Sequence, residues 1–150
     1  MNRYTALKDR QQKELNAFPL GAAFGNQQFA EMMYEMMYKW ELTETDTDKI
    51  YSIGSGCYIR RSDSQAFHEM LERFDREIAA EIAGDPTGDG FIRDMFYAEL
   101  ANHEYCITYD LTDTLYALGL TLEQINADKR LVRGLQKAEK QYLKDSKARL

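Results

Sequence analysis

The sequence lacks several features that would place it in a specialised class of protein. Its 150 residues include only two prolines and two cysteines, which excludes a collagen-like chain and a disulfide-stabilised scaffold. Cys57 and Cys106 do not have the spacing of a zinc site either. No apolar run approaches the roughly 18–20 residues that a membrane-spanning helix needs, and residues 1–18 lack the apolar core of a signal peptide. We therefore expect a cytoplasmic protein with reduced thiols and no contact with membranes.

What the sequence does contain is typical of one globular domain. Hydrophobic residues make up 44% of the chain and charged residues 29%, which is enough apolar surface for a core. Neither an internal repeat nor a long flexible linker divides the chain. We predict a single domain over residues 1–150, with residues 144–150 frayed.

Basic residues are in deficit and are unevenly distributed. The formal charge of −6 argues against a protein whose whole surface binds phosphate. Residues 19–127 carry −13, whereas residues 1–18 carry +2 and residues 128–150 carry +5. The acidic body favours a protein partner with a basic surface. Alternatively, the basic final segment lies on the body and neutralises it.

Apolar residues recur at helical spacing through most of the chain. The clearest stripe consists of Phe29, Met32, Met33, Met36, Met37 and Trp40. Other stripes predict a helix before Pro19, a long helix after Asp63, a helix from Phe91 to about Asn102, a short helix ending at Leu118 and a last helix beginning at Asp128. In the long helix, Phe67, Met70, Leu71 and Phe74 are predicted to be buried. Residues 105–109 fit a strand and a helix equally well.

The only predicted β-structure is a hairpin at about residues 49–61. This segment reads KIYSIGSGCYIRR, with β-branched and aromatic residues on both sides of a glycine-containing turn. A lone hairpin is marginal in water, so it must pack on helices or pair with another strand. The predicted fold class is therefore α+β, mainly α, as a single compact helical domain with one hairpin.

Six side chains are candidates for contacting a partner: Tyr34, Tyr38, Tyr51, Tyr58, Arg60 and Arg61. Tyr34 and Tyr38 lie one turn apart beside the methionine stripe, and tyrosine is enriched at protein interfaces. The other four belong to the hairpin and combine aromatic with basic side chains. Such a set can stack nucleobases, or it can be a packed hairpin with a charged rim.

Two histidine–glutamate pairs are candidates for catalysis or for metal binding. His68 and Glu72 are four residues apart on the long helix, and Glu99 and His103 have the same spacing on the next helix. If these helices pack antiparallel, two imidazoles and two carboxylates meet, which suits a transition metal or acid–base chemistry. The alternative is two ion pairs at the solvent edge, which the abundance of glutamate favours.

Residues 85–90, DPTGDG, are a candidate calcium loop. Asp85, Thr87 and Asp89 would occupy the first, third and fifth positions of an EF-hand loop. Phe96 then stands where the bidentate glutamate is needed, so the sequence favours a simple turn before a helix.

Residues 118–125, LGLTLEQI, resemble the turn of helix-turn-helix proteins. The second helix would offer mainly acidic and amide side chains to DNA, which favours an ordinary corner between helices with Thr121 and Gln124 as a capping box. We therefore expect no binding of nucleic acid except through residues 118–133.

The run from Asp48 to Glu69, and the stretch 101–105 followed by residues 113–126, resemble small uncharacterised proteins of gut Firmicutes and their phages. The resemblance implies an accessory protein of a phage or mobile element, with no assigned reaction and no catalytic residues to transfer. Together with the acidic body it predicts a non-enzymatic protein-interaction protein without a cofactor, for example an acidic inhibitor of a host nucleic-acid-processing system. The alternatives are a small DNA-binding regulator and a metal-dependent enzyme that uses the His/Glu cluster. The sequence does not determine the oligomeric state.

Overall fold

The structure is a computed structural model that describes residues 1–149, so that Leu150 of the predicted frayed tail lies outside the described residues. In chain order the main elements are α1 (Arg3–Ala17), β1 (Gly21–Ala22), α2 (Asn26–Trp40), β2 (Ile50–Gly54), β3 (Cys57–Arg60), α3 (Ser64–Ala83), α4 (Phe91–Asn102), α5 (Tyr105–Thr108), α6 (Thr112–Leu118), α7 (Leu122–Asn126) and α8 (Lys129–Ala148). The chain groups into two compact units. We call residues 1–10 and 76–149 the helical unit, and residues 11–75 the sheet unit.

The helical unit is built around α4. This helix is apolar on most of its surface, and Ile92, Phe96 and Leu100 have no accessible surface. α8 packs along it through Leu131, Leu135, Ala138 and Tyr142. A Cβ atom at Gly134 of α8 would lie 2.5 Å from Ile92 Cγ2 and 2.8 Å from the Gly88 carbonyl oxygen, so this glycine allows the close approach of the two helices.

Local capping signals mark the starts of α7 and α8. Thr121 and Gln124 form the predicted capping box at the start of α7, and the Asp128 side chain accepts a hydrogen bond from the Arg130 N–H at the start of α8. The undecided segment 105–109 contains a single helical turn. Glu104 and Tyr109, with φ of 51° and 53°, stand in the left-handed region on either side of that turn and so limit its length.

The sheet unit contains a three-stranded antiparallel sheet in the order β1-β3-β2. β2 and β3 form the predicted hairpin, with Ser52 opposite Tyr58. On its other side Tyr58 is paired with Gly21 of β1. The hairpin therefore has the additional strand that its marginal stability requires, although two residues are too few for the alternation that predicts a strand.

Two apolar clusters form the core of the sheet unit. Met32, Met33, Met36 and Trp40 of α2 are buried against β1, and a Cβ at Gly21 would lie 2.7 Å from both Met32 Sδ and Trp40 Cη2. The second cluster joins β3 to α3 through Ile59, Phe67, Met70 and Phe74. The prediction that Leu71 is buried was wrong. It is 37% exposed. The buried face of α3 is centred on Phe67, Met70 and Phe74, and Leu71 lies at the edge of that face.

The predicted fold class, α+β and mainly α, is confirmed by these eight helices and one small sheet, counted over residues 1–149. Within the same residues, no helix is both long enough and apolar enough to cross a membrane.

The tight loop between α3 and α4 gives the first testable prediction. Gly88 has a φ of +91°, and a Cβ there would collide with the carbonyl oxygen of Arg130. Gly119, at the end of α6, also has a positive φ, but a Cβ there would meet open space. We expect Gly88→Ala to lower the free energy of unfolding by about 3 kcal/mol or more, and Gly119→Ala by only about 1 kcal/mol, because the second variant has backbone strain without a clash. Urea unfolding at neutral pH measures both, and equal losses would contradict the packing of the loop on α8.

Candidate functional site

The exposed face of α2 carries two of the predicted contact residues. One side of the helix is buried and carries Met32, Met33, Met36 and Trp40. Tyr34 and Tyr38 therefore lie on the opposite side. Tyr34 is 68% exposed and Tyr38 is 95% exposed. Since they are one turn apart, their rings belong to the same strip of helix surface.

The same strip is acidic. Glu31 and Glu35 are exposed one turn apart beside the two tyrosines. The Glu31 carboxylate accepts a hydrogen bond from Gln27 Nε2 at 3.4 Å. From residue 31 to residue 48 the chain carries six acidic side chains and a single lysine. We call Glu31, Tyr34, Glu35 and Tyr38 the α2 face.

The four hairpin candidates are engaged within the sheet unit. Tyr58 packs edge-on against Phe29, with 5.3 Å between ring centroids. The Arg60 guanidinium donates to the Trp40 carbonyl oxygen at 2.5 Å and to the Asp63 carboxylate at 3.1 Å. The Tyr51 hydroxyl and Ser64 Oγ lie 2.8 Å apart, and Arg61 stacks on the Tyr51 ring. These contacts order the hairpin. Of the six candidates, Tyr34, Tyr38 and Arg61 are exposed, whereas Tyr51, Tyr58 and Arg60 are half-buried.

The two histidine–glutamate pairs lie in different units. His68 and Glu72 are exposed on the part of α3 that belongs to the sheet unit, where the His68 ring lies edge-on to Phe67. Glu99 and His103 are in the helical unit at the end of α4, and Glu99 Oε2 is 3.2 Å from His103 Nε2.

Glu99 is the centre of a polar cluster that the sequence indicated only in part. Its side chain is 9% exposed, and Oε1 accepts hydrogen bonds from the Tyr4 hydroxyl at 2.9 Å and from Asn102 Nδ2 at 3.3 Å. Burial and then the hydrogen bond to Glu99 raise the pKa of Tyr4, which therefore stays a proton donor. Tyr4 is 95 residues away in the sequence, so no local spacing signals its part in the cluster. A carboxylate that orients an imidazole can take part in proton transfer. The four side chains of this cluster also satisfy one another's hydrogen bonds, which is a purely structural role.

The candidate calcium loop is organised around Asp85, which is 5% exposed. Asp85 Oδ1 accepts from the backbone N–H groups of Thr87 and Gly88, and Oδ2 from those of Gly90 and Ile92, at 2.9–3.2 Å. Burial opposes ionisation of Asp85, but the four N–H donors outweigh it and lower its pKa. The carboxylate therefore holds the loop and the first turn of α4 together.

Asp89 and Thr87, the other two candidate calcium ligands, also have partners. Asp89 forms ion pairs with Arg133 and Lys137 of α8, each at 2.9 Å. The hydrogen bond from Arg133, followed by that from Lys137, lowers the pKa of Asp89 to about 2. Thr87 Oγ1 accepts from the Asp89 N–H at 3.1 Å. In the part of the chain that the structure describes, no group of three or more His, Cys, Asp or Glu side chains is placed to hold a metal ion.

The segment 118–133 contains the predicted corner between helices. α6 ends at Leu118 and is followed by Gly119, which has a φ of 66°, and α7 is five residues long with Ile125 buried. Two of its bases are used internally: Arg130 Nη1 donates to the carbonyl oxygens of Ile82 and Asp85 at 3.0 and 2.7 Å, and Arg133 pairs with Asp89. This leaves fewer basic groups for phosphate contacts than the sequence suggests.

Comparison with known proteins places the chain in a family. The model of a family of unknown function, DUF7659, matches residues 3–141, which is most of the chain. The chain belongs to DUF7659. No curated protein and no solved structure matches it.

Membership of DUF7659 agrees with the expectation of a family that has no assigned reaction. The matched residues include the α2 face, the Glu99 cluster and the Asp85 loop. Family membership does not favour one of these three features over the others, so the choice among them depends on their geometry.

Asp85 provides a prediction on pH dependence. We expect Asp85→Asn to lower the free energy of unfolding at pH 7 by about 2–3 kcal/mol, because four backbone N–H groups lose an ionised acceptor. Since the pKa of Asp85 is lowered in the folded state, its contribution is complete above the unfolded pKa of about 3.9 and is lost as the pH falls through the folded pKa. The difference between wild type and variant should therefore narrow between about pH 5 and pH 2.5 in urea unfolding experiments.

Asp89→Asn is the matched control for this experiment. Its carboxylate also has a lowered pKa, but its partners are exposed ion pairs. We expect a smaller loss at pH 7, which about 0.5 M salt removes by screening. If salt also removed the loss of unfolding free energy in Asp85→Asn, the result would contradict stabilisation of the loop by hydrogen bonds from four backbone N–H groups to Asp85.

Proposed function

We propose that the protein is a non-enzymatic interaction protein that binds a basic surface of another protein through the α2 face. The observation that carries this proposal is the exposure of Tyr34 and Tyr38 at 68% and 95%. Large aromatic side chains with a polar tip supply much of the binding energy at interfaces when they become buried. The 15 residues of α2 span about 22 Å, which is long enough for one side of a small interface.

The charge of the α2 face supports a basic partner. Glu31 and Glu35 lie beside the tyrosines, and the neighbouring chain to residue 48 adds four more carboxylates. An acidic field speeds the encounter with a basic protein and disfavours acidic ones. Arginine suits this face especially, because its guanidinium pairs with carboxylates and stacks on tyrosine rings.

We also propose a biological setting. The resemblance of the run from Asp48 to Glu69 to proteins of gut Firmicutes and their phages supports an accessory protein of a phage or mobile element, acting in the cytoplasm. The two free thiols, Cys57 and Cys106, are compatible with a reducing compartment. One concrete form of the proposal is an inhibitor whose acidic face imitates the phosphate field expected by a host nucleic-acid-processing protein.

The proposal predicts which tyrosines matter for binding. We expect the double variant Tyr34→Ala/Tyr38→Ala to bind a labelled oligoarginine peptide at least about tenfold more weakly than wild type, because the two rings supply the buried area of the contact. Fluorescence anisotropy at low and at physiological salt measures the affinity. Circular dichroism should be unchanged, since both side chains are outside the core.

Tyr116→Ala is the control, because Tyr116 is 88% exposed but belongs to α6 of the helical unit and not to the α2 face. Its affinity should equal that of wild type. An equal loss in both variants, or no loss in the double variant, would rule out the α2 face as the binding surface. Glu31→Gln/Glu35→Gln should weaken binding mainly at low salt, because these carboxylates act over a distance that salt shortens.

A further inference from the structure

A second feature of the sheet unit is a cleft of about 250 Å³ beside the end of the hairpin. Leu42, Asp48, Lys49, Arg60, Arg61 and Ser62 line it. At about 30 Å³ for each water molecule in the liquid, its volume corresponds to about eight waters. It therefore suits a compact ligand with a similar number of non-hydrogen atoms.

The walls of the cleft are largely apolar. Leu42 is half-buried, and Lys49, Arg60 and Arg61 are lining residues whose long side chains include aliphatic stems. Two of the three basic groups have a carboxylate partner. Lys49 Nζ is 3.5 Å from Asp46, and Arg60 Nη2 is 3.1 Å from Asp63.

Arg61 is held differently. Its Nε donates to the Asp48 carbonyl oxygen at 2.8 Å, and its guanidinium carbon lies 5.5 Å from the centroid of the Tyr51 ring. The Tyr51 hydroxyl is itself fixed by Ser64. In the contacts described for residues 1–149, neither terminal nitrogen of Arg61 has a partner. The hydrogen bond to Asp48 and the stacking on Tyr51 fix the plane of the guanidinium and leave the fork formed by its two terminal nitrogens open. This is the geometry that a bidentate carboxylate needs.

We propose that this cleft is a binding site for a small monocarboxylate with a compact apolar body, whose carboxylate pairs with Arg61 and whose apolar part contacts Leu42. Because Arg61 is already oriented, little side-chain entropy is lost on binding. Asp48 is also a lining residue, and its negative charge near the cleft opposes a second one on the ligand, so the site accepts one charge rather than two. This site is separate from the α2 face and does not depend on the function proposed for it.

Benzoate is a suitable probe, and benzamide is its uncharged match. Each is titrated into the full-length ¹⁵N-labelled protein while amide chemical shifts are followed by NMR. We expect saturable shifts at Leu42, Lys49 and Arg61 with a Kd of about millimolar order for benzoate. Benzamide should bind at least about tenfold more weakly, because it cannot form the ionic pair with Arg61.

Two substitutions should change the affinity in opposite directions. Arg61→Gln removes the fork and is expected to weaken benzoate binding at least about tenfold. Asp48→Asn removes the opposing charge while its backbone carbonyl still holds Arg61, so benzoate should bind about two- to threefold more tightly. Arg93→Gln, at an exposed arginine of the helical unit, should leave the affinity unchanged.

Several outcomes would overturn the proposal. The absence of saturable shifts with benzoate up to roughly 20 mM, equal binding of benzamide, or unchanged affinity in Arg61→Gln would each do so. The tighter binding expected for Asp48→Asn keeps the test decisive if Arg61→Gln fails to fold, since a gain in affinity does not arise from unfolding. A failure here leaves the affinity of the α2 face for oligoarginine unaffected, so the two proposals are tested independently.

Discussion

The carboxylate of Asp85 is the acceptor on which the helical unit depends. It gathers four backbone N–H groups of the loop and of the first turn of α4, which would otherwise be buried without a partner or exposed to water. The loop fixed in this way brings Gly88 against the Arg130 carbonyl, and Arg130 in turn binds the carbonyl oxygens of Ile82 and Asp85. The end of α3, the start of α4 and the start of α8 are therefore joined at one point.

The charges of the chain are used in two ways. Some charges pair within the fold. Asp89 forms ion pairs with Arg133 and Lys137, which join part of the basic last helix to the acidic body. This is one of the two arrangements that the charge asymmetry predicted. Others remain on the surface, as on the α2 face, where the carboxylates accompany exposed aromatic rings. A charge that is already paired within the fold offers less to a partner than one that is not.

The candidate residues separate in the same way. Tyr51, Tyr58 and Arg60 have the composition of a binding surface, but the structure uses them to order the hairpin. Tyr34 and Tyr38 differ from these residues in their exposure, because the buried stripe of α2 leaves both rings on the solvent side of the helix. The Glu99–His103 spacing was readable from the sequence, whereas Tyr4 comes from a helix at the other end of the chain. Residue type and spacing alone do not distinguish such cases.

The sequence by itself determined the main helices other than α5, the hairpin, the α7 capping box and the stripe of α2, because each depends on residues close together in the chain. It did not determine β1, whose two residues become a strand only when paired with β3, or the exposure of Leu71. The tertiary structure alone decided that Asp85 accepts backbone N–H groups, that Tyr4 donates to Glu99, and that Arg61 keeps an open fork beside a cleft. The physical reason is that hydrogen-bond partners and solvent exposure are set by residues far apart in the chain, which no local pattern encodes.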